Sequence, residues 1–336
     1  MIQPRPSAAG AVPLRRLVRG LVVATVLGAL VFGGLALWAD ASQMMAALRR
    51  LPFGALVLAV ALATVNYALR FVRWQYYLHL VEVRVPVGES LLAFLAAFVG
   101  GVTPGKLGET LKALMLYESR GAPIARTAPL VVSERLTDLV ALVLLTAAGA
   151  GAVEGGWIYA AVGAVVAGLL LLVVLSRPLA DAVLGWLERM PGLRRIGPRL
   201  REAHGALRDT MAPGPLLLGT FVATVAWAFE VESLRVLCRG LGVQADVQLC
   251  ALAYGASTLA GAVAMMPGGL GVTEAGMAGL LEVAGRMDRA VASAATALCR
   301  LATLWWAVLL GLVAYLAFVR RGASRPSRVA APATDV

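Results

Sequence analysis

Lys106, Glu109, Lys112, Glu134, Arg135 and Asp138 fall within residues 100–138 of a strongly apolar chain. Residue types of this kind point to anion binding. A guanidinium offers a planar fork that fits phosphate or carboxylate bidentately, and an ammonium adds a point charge. Glu134 and Asp138 are four residues apart, and Arg135 and Asp138 three apart, so on a helix they can meet. Two readings stand for this trio: it pins its helix to a neighbour, or it serves a site. An ionisable group deep in hydrocarbon costs about 2.5–3.5 kcal/mol on insertion scales and is a functional candidate by default.

Gly100, Gly101, Pro104, Gly105 and Gly108 break any helix in the same stretch. The freed N–H and C=O groups cannot face lipid; they are tolerated only against protein or beside a watery cavity. Lys106 follows the break at an expected helix start, where backbone N–H groups also favour anions.

A second copy occupies residues 266–300. Pro104-Gly105-Lys106-Leu107-Gly108 matches Pro267-Gly268-Gly269-Leu270-Gly271. Glu109 answers to Glu274 after a two-residue shift, and Arg135 to Arg300. Upstream, Ala63-Thr64-Val65 recurs as Ala223-Thr224-Val225. The PGxLG pattern alone is weak, because Gly and Pro are common in membrane helices; its recurrence with Glu and Arg is the specific part. Arg135, Arg300 and Lys106 are expected to bind an anionic group. Glu109 and Glu274 either hold the arginines while the site is empty or carry protons, and ion pairing is the bland alternative for each.

The chain has 336 residues, 60% hydrophobic and 15% charged, which excludes an ordinary soluble domain and indicates a polytopic membrane protein. The net charge of +11 sits in tails and particular loops, as the positive-inside rule requires, so it signals anionic lipid rather than nucleic acid. Cys238, Cys250 and Cys299 are scattered, and His79 and His204 isolated, so neither a disulfide framework nor a metal site is expected. No cofactor or catalytic residue is expected either, since no nucleophile–base pair is visible.

These residues need elements to hold them. Residues 17–38 read as a first span. Ala39-Asp40-Ala41 resembles a signal cleavage site, but the apolar run is too long for a signal core. Residues 53–71 span next, ending in Arg70, Arg73, Trp74, Tyr76 and Tyr77, which read as a basic-aromatic interface belt, although Asn66, Arg70 and Arg73 are also placed to face a cavity. Segments 87–102 and 107–117 fall short of the ~20 residues needed to cross, and so form a helix–break–helix hairpin. Residues 127–148 and 157–175 span. The arginine-rich loop 177–209 reads as an amphipathic surface helix, with a solvated connector as the alternative. Residues 215–237 span, 247–265 and 273–283 form a second hairpin, and 291–319 span last.

The expected fold is an all-α polytopic membrane protein with about six full spans plus two re-entrant helical hairpins in inverted-topology repeats. Its parts are a cytoplasmic tail at 1–16, a membrane domain at 17–319 and a basic cytoplasmic tail at 320–336. Within the membrane domain, repeat one covers about 53–150, the connector about 177–212 and repeat two about 213–319. The charge bias puts both tails inside and opens the two hairpins to opposite sides.

At Thr103-Pro104-Gly105-Lys106-Leu107-Gly108-Glu109, Glu134-Arg135-Leu136-Thr137-Asp138, Pro267-Gly268-Gly269-Leu270-Gly271-Val272-Thr273-Glu274 and Arg300, the chain resembles the lysylphosphatidylglycerol synthase membrane-region family, also called flippase-like membrane proteins. The resemblance implies a domain that moves or binds lipids such as aminoacylated phosphatidylglycerol or other lipid-linked anions. The synthases continue into a soluble catalytic domain that has no counterpart here, so lysyl transfer is not implied. The expectation is an inner-membrane flippase for an anionic phospho- or polyprenyl-linked lipid. Its substrate-binding residues are Lys106, Glu109, Glu134, Arg135, Asp138, Glu274 and Arg300, and its hairpin breaks are Pro104, Gly105, Gly108, Pro267, Gly268 and Gly271. The alternative is a non-transporting lipid-binding partner of a lipid synthase or glycosyltransferase, docked through the basic loop. No nucleic-acid partner is expected, and the sequence fixes no oligomeric state.

Overall fold

The computed structural model describes residues 14–101, 110–176, 178 and 197–323, and the secondary structure found there is helical throughout. In chain order the helices are α1 (Leu14–Trp38), α2 (Ala41–Arg50), α3 (Phe53–Leu80), α4 (Val87–Gly100), α5 (Leu111–Arg120), α6 (Ile124–Gly149), α7 (Trp157–Leu175), α8 (Gly197–Thr210), α9 (Pro213–Gly240), α10 (Val247–Val263), α11 (Val272–Val283), α12 (Arg289–Arg300) and α13 (Trp306–Ala323). Proline sets many of the starts. Pro52, Pro86 and Pro123 precede α3, α4 and α6, and Pro213 opens α9, where its fixed φ and missing N–H cost nothing. Gly121, at φ 69°, closes α5 in the left-handed conformation.

The same order of helices occurs twice. α3 and α9 are each 28 residues long, and Pro213 lies 160 residues after Phe53 as Val247 lies 160 after Val87. α5 answers to α11, and α6 answers to α12 and α13 joined by a π-helical turn, Leu301–Trp305. The halves interlock by exchange. α3 packs along α9, while α4 packs on α13 and α10 on α6, so each half's short apolar helix rests on the other half's long one.

Small residues allow the central contact, as expected where helices meet without a hydrophobic driving force. Ala59, Ala63, Ala223 and Ala226 are fully buried, and Ser233 donates to the Ala59 carbonyl at 3.2 Å. The recurring Ala-Thr-Val therefore has a packing role: its alanine is buried, and its threonine satisfies its own hydroxyl on the preceding turn, Thr64 on Val60 and Thr224 on Thr220, both at 2.8 Å.

Four described helices are long and apolar enough to cross a membrane: Phe53–Leu80, Trp157–Val174, Pro213–Gly240 and Arg289–Arg321. Thr25–Trp38 with Ala41–Arg50, bent by 102°, makes a fifth if the pair counts as one span. α7 exposes Val162, Val165, Leu169, Leu172 and Val173, a surface suited to lipid rather than water. α6 has 26 residues but carries Glu134, Arg135 and Asp138 in its middle, which removes it from the apolar set.

Several expectations need revision. α3 runs on to Leu80 rather than ending near residue 71, and the interface-belt reading fails with it: Arg73 is 1% exposed and Trp74 and Tyr77 are fully buried. α2, with both arginines in its last turn, was not foreseen. The end of the basic loop is not a solvated connector. α8 packs on α6, with Ala206 and Thr210 buried, Ser133 and Thr210 hydroxyls 2.6 Å apart and Arg126 on Glu202 at 2.8 Å. The amphipathic segment proposed before it, the first hairpin's break at 102–109 and both tails beyond 14 and 323 lie outside the described residues.

α5 is tied to α6 by charge. Lys112 and Glu134, each 3% exposed, form an ion pair, and the Lys112 ammonium also stands over the Trp74 and Phe94 rings at 4.1 and 5.4 Å. Removing one partner of such a pair strands a buried charge, at a cost of about 3–5 kcal/mol. Lys112→Met and Glu134→Gln should each lower the thermal stability of the solubilised protein markedly, and the double variant should lose much less than the two losses together. Additive losses, followed by circular dichroism, would show that the two charges do not act as a pair.

Candidate functional site

A cavity of about 110 Å³ opens where the two halves meet. Its walls come in matched positions. Tyr67 and Trp227, Arg70 and Glu230, Phe98 and Thr258, and Gly101 and Gly261 all line it, and each pair is separated by the same 160 residues that relate α3 to α9. Arg135 and Arg300 line it as well, each eleven residues after the start of its helix, α6 at Ile124 and α12 at Arg289. The cavity thus sits on the internal symmetry of the fold.

On the side of the second half, Arg300 organises a broken backbone. Its Nε donates to Glu274 Oε1 at 2.6 Å and a terminal nitrogen donates to the Gly268 carbonyl at 2.5 Å. The second carboxylate oxygen of Glu274 accepts the Gly271 N–H at 2.6 Å. One carboxylate therefore satisfies both the guanidinium and an orphan N–H at the start of α11. Gly268 and Gly271 hold φ of 61° and 88°, which side chains resist. Beyond Arg300 the π turn widens the helix, and the Thr303 carbonyl within it accepts the Tyr67 hydroxyl across the halves.

On the side of the first half, one carboxylate serves three guanidiniums. Asp138, 3% exposed, lies 2.8 Å from Arg73, 3.7 Å from Arg70 and 3.6 Å from Arg135. Arg73 also donates to Thr137 at 3.0 Å. Arg70 stands over the Phe98 and Trp227 rings, 5.7 Å from each centroid, and its buried Nε has no hydrogen-bond partner among the described residues. Together Arg70, Arg73, Arg135 and Arg300 face Asp138, Glu274 and Glu230. Among the described residues guanidiniums outnumber carboxylates here by four to three, a balance that favours an anion.

Of the residues singled out by sequence, Arg135, Arg300, Gly268 and the near end of the first break at Gly101 meet at this cavity. Glu274 lies behind Arg300, and Pro267 and Gly271 shape the loop that Arg300 grips. Glu134 and Asp138 do not line the cavity: the first turns to Lys112, the second stands behind the arginines. Lys106, Glu109, Pro104, Gly105 and Gly108 are outside the described residues. Sequence reasoning missed Glu230, Tyr254, Tyr67 and Trp227 and undervalued Arg70. The signal was available: the Ala-Thr-Val recurrence fixes a 160-residue register that places Glu230 opposite Arg70.

The comparisons agree with this architecture. The family model described as lysylphosphatidylglycerol synthase TM region matches residues 20–311. A protein of Methanothermobacter thermautotrophicus strain Delta H, described as a UPF0104 membrane protein, is 25% identical over 316 residues, covering 86% of this chain and 93% of the archaeal one. The match takes in both sets of helices and every residue of the cavity, and the chain belongs to the lysylphosphatidylglycerol synthase TM region family.

Proposed function

We propose that the chain binds the anionic headgroup of a phospho- or polyprenyl-linked lipid in this cavity and moves the lipid across a bacterial-type inner membrane. The observation that carries the reading is the convergence of Arg70, Arg135 and Arg300, from both halves, on one buried cavity. In this reading α6 joins the apolar helices as a sixth span, tolerated because its charges are paired inside the protein. The pairs α4–α5 and α10–α11 are half-crossing hairpins of opposite orientation, entering from opposite faces of the membrane as inverted-repeat transporters do. Both tails lie in the cytoplasm, and no enzymatic step is invoked.

The test is reconstitution into liposomes with a fluorescently labelled anionic lipid. Arg135→Ala and Arg300→Ala should each reduce crossing at least tenfold, since loss of a buried charge-assisted contact costs about 2–5 kcal/mol. Arg300→Ala also strips Glu274 of its partner, so Arg300→Lys, which keeps the charge but not the fork, separates folding from binding. Normal crossing by the alanine variants would end this assignment of the site.

A second reading, a non-transporting lipid-binding partner of a lipid synthase or glycosyltransferase, draws on α8. That helix is docked on α6 yet exposes Arg199, Arg201 and Arg208. Under it, replacing these three by Gln should abolish co-purification of a partner enzyme. Under the transport reading the same variant should move lipid at close to the wild-type rate.

A further inference from the structure

The carboxylates around the cavity are not equivalent. Asp138 has Arg73 at 2.8 Å, Glu274 has Arg300 at 2.6 Å, and Glu134 has Lys112. Glu230 has no cationic group within 4 Å among the described residues; its partner is the Tyr254 hydroxyl, which donates to Oε2. It is nevertheless 4% exposed and lines the cavity. It also occupies the place that Arg70 holds in the first half, so at this one matched position a fixed positive charge is exchanged for a group that can gain or lose one.

The groups that face it define what it can do. The charged and titratable groups around it are Tyr67 and Arg70 on α3, Arg135 on α6 with Asp138 behind the arginines, Tyr254 on α10, and Cys299 and Arg300 on α12. Burial works against the carboxylate form of Glu230, and the Tyr254 hydroxyl, Arg70 and Arg300 work for it. A phosphate seated among Arg70, Arg135 and Arg300 would share about 110 Å³ with that carboxylate. Two negative groups in one small cavity raise each other's affinity for protons, and a proton on the weaker acid relieves the clash. A phosphodiester is far the stronger acid, so the proton belongs on Glu230, at Oε1, while Tyr254 continues to donate to Oε2.

We propose that Glu230 is a proton-binding site coupled to the anion site, so that the cavity loads one proton with each lipid monoanion. The inference rests on the anion reading above. The step is a simple association: a carboxylate and a proton give a carboxylic acid, and nothing is oxidised or reduced. The loaded cavity then has the same net charge as the empty one. Carriage of a phosphodiester lipid becomes electroneutral, driven by a pH difference and indifferent to membrane potential.

The sign follows from linkage. Anion binding raises the pH at which Glu230 gives up its proton. Affinity is therefore greatest below the titration of the empty site and falls, by up to about tenfold per pH unit, as pH rises toward that of the loaded site.

The experiment is calorimetry on the full chain in detergent, with short-chain phosphatidylglycerol as the probe, in two buffers of different ionisation heat at the same pH. The wild type should take up about one proton per lipid bound. Glu230→Gln should take up none and should bind at mildly alkaline pH as tightly as the wild type does at acid pH; Glu230→Asp should restore uptake. Equal uptake by wild type and Glu230→Gln would overturn the proposal. So would binding without uptake, or loss on Glu230→Gln of binding to an ammonium-bearing lipid such as phosphatidylethanolamine, which would make Glu230 a cation anchor. Binding without uptake would leave the anion reading standing, whereas no binding of phosphatidylglycerol at any pH would remove both.

Discussion

A charge placed inside an apolar protein needs a partner, and the meeting of Arg300 with Glu274 shows how much structure follows from that requirement. A guanidinium buried without a carboxylate costs several kcal/mol. Supplying Glu274 fixes the start of α11, because the same carboxylate also takes the Gly271 N–H. Fixing α11 leaves the Gly268 carbonyl pointing where Arg300 can reach it. One pair thereby satisfies two backbone groups that a broken helix would otherwise leave open, which makes the break tolerable inside the protein. Asp138 does the corresponding work with three arginines, and the surplus positive charge is confined to the wall of one cavity.

The repetition of the chain makes the surplus possible without making it symmetric. Matched positions carry Tyr67 and Trp227, or Gly101 and Gly261, which differ little in what they do for packing. Other matched positions differ in charge. Arg70 faces Glu230, Arg73 answers to Ser233, and Asp138 answers to Thr303, which stands three residues beyond Arg300 as Asp138 does beyond Arg135. The common backbone sets where side chains converge, and the divergence of these few positions decides what the convergence can bind.

Much of the fold was legible because hydrophobic runs, prolines and glycines are local signals. The bounds of α7, α10 and α11 follow within a few residues from apolar length and the Gly and Pro that flank it. The duplicated motif also singled out Arg135 and Arg300, which both line the cavity. What was not legible depended on which way a helix faces. Arg70 and Arg73 close an apolar run and sit beside Trp74 and Tyr77, a composition that an interface belt and a buried network share equally. Only the approach of α6, bringing Asp138, distinguishes them. Glu230 was passed over for the converse reason. It is one of two acidic residues in a long, mostly apolar helix, without a glycine or proline nearby to mark it, and its meaning lies in Tyr254 on another helix.

The size of the cavity limits what a ligand there can be. About 110 Å³ is small beside the roughly 300–1,000 Å³ of pockets that enclose a whole small-molecule ligand, so it suits a headgroup better than an acyl chain. A lipid bound through its headgroup must leave its tails outside the protein, against surfaces that lipid already wets. The fold supplies such surfaces, since α7 and the outer sides of α3 and α9 expose Leu169, Leu172, Val65, Val72, Leu217 and Phe221. Under the proposed reading, selectivity would rest on the charge and hydrogen bonding of the headgroup and hardly on the chains, because the chains would meet only an oil-like exterior. A polyprenyl tail and a pair of acyl tails would then be equivalent to such a site, and the ionisation state of the group between Arg70, Arg135, Arg300 and Glu230 would be what the protein reads.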